Sequence, residues 1–118
     1  MGKVFDLEEL NTISGDAAGT YYQDADRTAD LSRYQSAVAT LRMHDSSGCA
    51  VYVEGVAADA NDYVVYLTGV SGTPGTQTAH LNKLAAKGSA DRLEPIMRWK
   101  IVATGPFSAT FRVAVTVK

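Results

Sequence analysis

The chain has 118 residues, enough for one domain and too few for two. Thirteen acidic residues against eleven basic ones give a net charge of −2, and the isoelectric point is near 5.6, which argues against nucleic acid as a partner. Hydrophobic residues at 46% and charged residues at 20% place the chain among globular proteins whose core needs no metal to hold it, and the one cysteine, Cys49, excludes an internal disulfide.

The first residues, Met1-Gly2-Lys3-Val4-Phe5-Asp6-Leu7-Glu8-Glu9, are too interrupted by charge to serve as a signal peptide. No window of the sequence approaches the ~18 apolar residues of a membrane span. The expectation is synthesis in a cytoplasm with no membrane partner. Asp6 and Glu9 have the spacing of a capping box, which predicts a short helix with Leu7, Leu10 and Ile13 on one face. Tyr21-Tyr22 marks an early strand that ends in the polar stretch Asp24-Ala25-Asp26. Asp30 to Tyr34 reads as a single helical turn leading into the first long strand.

From Ala37 to Met43 apolar and polar residues alternate, and after the break Asp45-Ser46-Ser47-Gly48 the alternation resumes through Cys49, Val51 and Val53. Period two is a strand with one buried face, and the Ser-Gly break predicts a hairpin between the two runs. Tyr63 to Thr68 is β-branched and aromatic, hence a strand. A Gly-rich loop is expected from Gly69 to Thr76, then a strand from Gln77 to Leu81 and a marginal helix from Leu81 to Lys87, ended by Gly88. Met97, Trp99, Ile101 and Ala103 form one alternating run and Phe111, Val113, Val115 and Val117 another, with Thr104-Gly105-Pro106 between them as a hairpin turn. Seven or eight short strands with at most one or two short helices predict an all-β, single-domain antiparallel β-sandwich. Residues 1–13 read as an N-terminal arm or short helix and 14–118 as the sandwich domain.

Residue types that carry chemistry are present but scattered. His44 and His80 lie far apart with no partner at ligand spacing, and His44-Asp45-Ser46-Ser47 holds the residue types of a hydrolase triad within one turn, where they cannot converge. Asp24, Asp26 and Asp30 resemble half of a calcium loop, yet Ala29 and Gln35 stand where an EF-hand needs Gly and Glu. They are kept as metal candidates, and Asp59 and Asp62 around Asn61 have the same two readings, ligand cluster or solvated loop. Cys49 shares a face with Val51 and Val53, as a buried small hydrophobe does. Gly69, Gly72 and Gly75 lack the Gly-Lys-Ser/Thr ending of a phosphate loop. Tyr21, Tyr22, Tyr34, Tyr52, Tyr63, Tyr66 and Trp99 are enough to line a sugar platform, although cross-strand pairs and core claim most of them. Trp99 is expected as the core anchor, with Arg98 turned to the outer face to stack or pair. No cofactor is expected.

Asp30-Leu31-Ser32-Arg33-Tyr34 before a long strand, and Ile96-Met97-Arg98-Trp99-Lys100-Ile101 before the final one, resemble the small jelly-roll proteins of tailed-phage structural gene blocks. Those carry an Asp-Leu-Ser-x-Tyr start and a late hydrophobic-Leu-Arg-Trp strand; the resemblance covers about residues 30–118. Met97 replaces the usual Leu, and residues 83–95 carry an insertion-like Lys-Leu-Ala-Ala-Lys-Gly-Ser stretch. The architecture is also similar to discoidin-like binding modules, whose loop aromatics and bridging cysteines are missing. The resemblance implies a non-enzymatic virion protein, a capsid decoration or other accessory component that docks on the capsid lattice as a homo-oligomer. A carbohydrate-binding module, with a surface glycan as ligand, is the alternative. Val4, Phe5, Leu7 and Leu10 are the expected interface with a neighbouring subunit or the particle surface, or else they cover an edge of the chain's own sheet, because a free arm would not carry four large apolar residues.

Overall fold

The computed structural model describes residues 3–57, 63–69, 74–86 and 89–118. Among them are seven strands: β1 (Lys3–Gly15), β2 (Gly19–Tyr22), β3 (Ala29–Asp30), β4 (Ser36–Val56), β5 (Tyr63–Gly69), β6 (Gly75–Asn82) and β7 (Ile96–Val117). One 3-10 turn, Ala25–Arg27, is the only helical element among the described residues, and every ladder between strands is antiparallel. The protein is an all-β, single-domain antiparallel sandwich.

Its frame is a pair of long strands. β4 and β7 have 21 and 22 residues and pair from Ala37↔Val117 at one end to Val56↔Ile96 at the other. Each strand passes through both layers. The first layer runs in the order β1, the second half of β7, the first half of β4, β6. The second runs β2 and β3, the first half of β7, the second half of β4, β5. Between Ser47↔Ser108 and Cys49↔Ala103 only Gly48 of β4 faces Thr104 to Phe107 of β7, and a smaller register shift lies between Met43 and Asp45. These irregularities bend the ribbon so that its two halves stack, which is what bulges do to a sheet.

Alternation then builds the core. Ala37, Ala39, Leu41, Met43, Val51 and Val53 of β4 are buried, as are Met97, Trp99, Ile101, Phe107, Phe111, Val113, Val115 and Val117 of β7. Trp99 of the second layer meets Phe111 of the first edge-to-face, with ring centroids 5.7 Å apart. Leu31, Leu81 and Leu93 close the ends.

Several expectations are corrected here. The two hairpins are absent: each pair of alternating runs is one strand continuing around a corner. A Gly-containing break between amphipathic runs marks a change of direction, and periodicity alone does not say whether the chain reverses or bends. The helix expected from Asp6 is strand β1, because pairing with β7 satisfies its backbone while Leu7 enters the core. Leu81 belongs to β6, and a hydrogen-bonded turn follows instead of a helix, with Ala85 N–H donating to the Asn82 carbonyl at 3.2 Å. Gly75 and Thr76, expected in a loop, begin β6. Asp30 closes β3, and the turn after it is fastened by Tyr34 N–H on the Leu31 carbonyl. Asp59, Asn61, Asp62, Gly72 and Gly88 lie outside the described residues.

Candidate functional site: an edge strand and an aromatic–cation face

β1 is an edge of the first layer, and its sequence puts side chains on both sides of that edge. Leu7 is 3% exposed and belongs to the protein's own core, whereas Val4 at 60% and Leu10 at 53% stand in solvent and Phe5 is half-buried. Of the four expected interface residues, then, two are free to meet a partner. The middle of β1 is held from within. Gln23, buried after β2, donates from Nε2 to the Leu7 carbonyl at 2.6 Å and the Arg27 carbonyl at 3.0 Å, and its Oε1 accepts from Trp99 N–H at 3.2 Å. Beside it the buried Glu8 carboxylate takes a 2.8 Å bond from Arg27. Gln23 thus ties β1 of one layer to β7 of the other.

The outer face of the second layer carries a charge cluster. Glu54 lies in an otherwise apolar stretch of β4 and is fully buried, opposite Arg98 of β7. Arg98 Nε donates to Glu54 Oε1 at 2.6 Å, and Lys100 Nζ stands 3.3 Å from Oε2. Three tyrosines roof the cluster: Tyr22 over Arg98 at 4.5 Å, and Tyr52 and Tyr63 over Lys100 at 5.2 and 4.8 Å. A carboxylate is tolerated here because both neighbours are cationic and the rings exclude water. Tyr22 and Tyr63 remain 52% and 57% exposed, so the roof presents two fixed rings to solvent. Arg98 does turn outward, stacks and pairs. Glu54 is the member that sequence reasoning missed; a single acid among Val51, Val53 and Val56, with Arg98 and Lys100 alternating in the other long apolar run, was its signal.

Other candidates do not assemble. Among the described residues no group of three or more His, Cys, Asp or Glu side chains could hold a metal ion, so Asp24, Asp26 and Asp30 do not form a ligand set. Asp30 accepts from Ser32 N–H at 3.0 Å, and that bond holds its carboxyl below the usual aspartate range. Cys49 is buried, and burial pushes its thiol up, away from the reactive thiolate. His44 and His80 are both exposed and sit on different strands. Trp99 is buried between the layers. No helix among the described residues is long and apolar enough to cross a membrane.

No protein-family model matches the sequence, and no curated protein matches it either. Solved structures do share the fold. A structure of infectious bursal disease virus, Gx strain, overlays 99% of this chain and 32% of its own at 12% identity, with a TM-score of 0.54. The VP2 subviral particle of infectious bursal disease virus does so over 99% and 32% at 15% identity, with a TM-score of 0.52. A structure of Bacillus endospore appendages, described as disulfide-linked pili, aligns with 100% of this chain and 90% of its own at 10% identity, but its TM-score of 0.47 carries no weight. The chain spans about a third of the length of the viral chains it overlays. At such identities the likeness is one of fold alone.

Proposed function

We propose that the chain is a non-enzymatic structural component of a phage or phage-like particle, a capsid decoration or other virion accessory, that docks on neighbouring proteins and self-associates. The observation that carries this reading is β1. A 13-residue edge strand with Val4 and Leu10 in solvent offers backbone and apolar surface together, the combination that invites strand pairing. The overlaid viral structures support it, since their sandwich belongs to proteins of assembled particles.

The test is a pair of substitutions, Val4→Lys and Leu10→Lys, in the full chain. Both positions are exposed, so the β-rich circular dichroism spectrum should persist while co-sedimentation with particles and self-association measured by light scattering are lost. Retained binding by the double variant overturns the reading. Substitution is preferred to deletion of residues 1–13, which would take Leu7 out of the core and remove most of the β1–β7 ladder.

Carbohydrate binding is a second reading, and the exposed rings of Tyr22 and Tyr63 favour it. Glycan-array binding lost on Tyr22→Ala and Tyr63→Ala, and unaffected by Leu10→Lys, would select it.

A further inference from the structure

The outer face of the first layer holds an unbalanced pair of charges. β4 and β7 place Arg42 directly opposite Arg112. Like charges so opposed on one face of a sheet are unfavourable unless something offsets them. Arg112 has a carboxylate, with its Nη2 donating to Asp6 Oδ1 at 2.9 Å. Arg42 makes no ion pair among the described residues, although Thr76 of β6 is its neighbour on the other side. In the next row Asp6, Ala114 and Thr40 lie side by side across β1, β7 and β4. The Ala114 methyl is the shortest side chain of that row, and it leaves a hollow of about 300 Å³ lined by Thr40, Arg42, Thr76, Arg112 and Ala114.

The donors around this hollow are two guanidiniums and two hydroxyls, with no carboxylate in the lining. Arginine forks bind oxyanions through paired, charge-assisted hydrogen bonds, and threonine hydroxyls supply further donors. Asp6 sits outside the lining and occupies one side of Arg112 only, so the Arg42 guanidinium is left for a ligand. We propose that this hollow is a binding site for a single phosphate or sulfate group, seated over Ala114 between Arg42 and Arg112. Its lining comes from β4, β6 and β7 and includes neither Val4 and Leu10 of β1 nor the tyrosine roof, while Asp6 of β1 holds one side of Arg112. A group with three free oxygens suits donors brought together from three neighbouring strands, Arg112 of β7, Arg42 and Thr40 of β4, and Thr76 of β6. The anion also relieves the repulsion between the two arginines, so its binding and the local sheet geometry reinforce one another.

Titration of ¹⁵N-labelled protein with inorganic phosphate, at constant ionic strength against chloride, tests this directly. The expected result is a saturable shift confined to the backbone amides around Thr40–Arg42, Thr76 and Arg112–Ala114. Arg42→Gln should weaken phosphate about tenfold or more, the loss of a charge-assisted hydrogen-bonded pair, and Arg42→Lys should fall between the two. Glucose 6-phosphate and a sulfated disaccharide form the second arm. Tighter binding than inorganic phosphate means the group is read as part of a larger molecule, and equal binding means that the free ion is the ligand. Shifts that grow linearly without saturating, or that are unchanged in Arg42→Gln, overturn the proposal.

Discussion

Trp99 stands between Met97 and Ile101 on the buried side of β7 and leans edge-on against Phe111 of the other layer. Its Nε1 is buried with no hydrogen-bond acceptor among the described residues, so its contribution is volume and ring contact, not polarity. Trp99→Ala should therefore destabilise the protein by about 3–5 kcal/mol in urea unfolding, and Trp99→Phe by less, because the unpaired N–H leaves with the indole. It is the chain's one tryptophan, so native fluorescence reports this site alone and should be blue-shifted. Tyr66 is a different kind of anchor. Its ring lies against Gly55, where any side chain would collide with it, and its hydroxyl donates to the Arg92 carbonyl at 2.6 Å and accepts from Glu94 N–H at 2.9 Å. Burial pushes its pKa up to about 12, above the ordinary tyrosine value near 10. The folded state thus holds this proton more tightly than the unfolded one. The associated stability is complete below about pH 10 and is lost as pH rises towards about 12. Tyr66→Phe should lower the melting temperature at pH 8 and flatten its decline between pH 10 and 12; an unchanged alkaline slope would show that other groups control it.

At the scale of the element, the corner decides the fold. Gly48 has φ +70°, in the left-handed region, and a Cβ there would lie 2.4 Å from the Pro106 carbonyl oxygen. Pro106 lacks an N–H to offer a ladder, which suits the unpaired excursion of β7 opposite Gly48. Gly48→Ala should destabilise by about 1–3 kcal/mol from backbone strain, with further loss from the displaced Pro106 carbonyl. Chemical denaturation checks this, and a neutral effect would mean that the corner rebuilds without the glycine. In β1 a local signal and a tertiary one compete. A capping-box spacing is a local signal, whereas a neighbouring strand with unpaired backbone groups is a tertiary one, and here the second outweighs the first.

Across the whole molecule, both layers are built from the same two strands, so neither can unfold while the other stays. A far-UV spectrum dominated by β-structure should disappear in a single transition that coincides with the change in Trp99 fluorescence. Two separated transitions would contradict the shared-strand architecture. The closing pair Lys3↔Val117 joins opposite ends of the chain, so the ordering of this sandwich depends on contacts remote in sequence.

Alternation and composition determined a good deal without the structure. Period two in the two long segments settled strand identity, the buried side of each strand and the place of Trp99 in the core, because side-chain direction along a strand is a local property. The expectation of a protein that docks came from a resemblance in two short motifs and from the apolar residues Val4, Phe5, Leu7 and Leu10, not from alternation. The tertiary structure alone decided that the breaks at Gly48 and Pro106 are a corner and not two reversals, and that Asp6 to Ile13 is strand. It also decided that Glu54, Arg98, Lys100 and three tyrosines share one face, and that Arg42 meets Arg112. Each of these depends on which strand lies beside which, and pairing between segments tens of residues apart leaves no periodic trace in either segment.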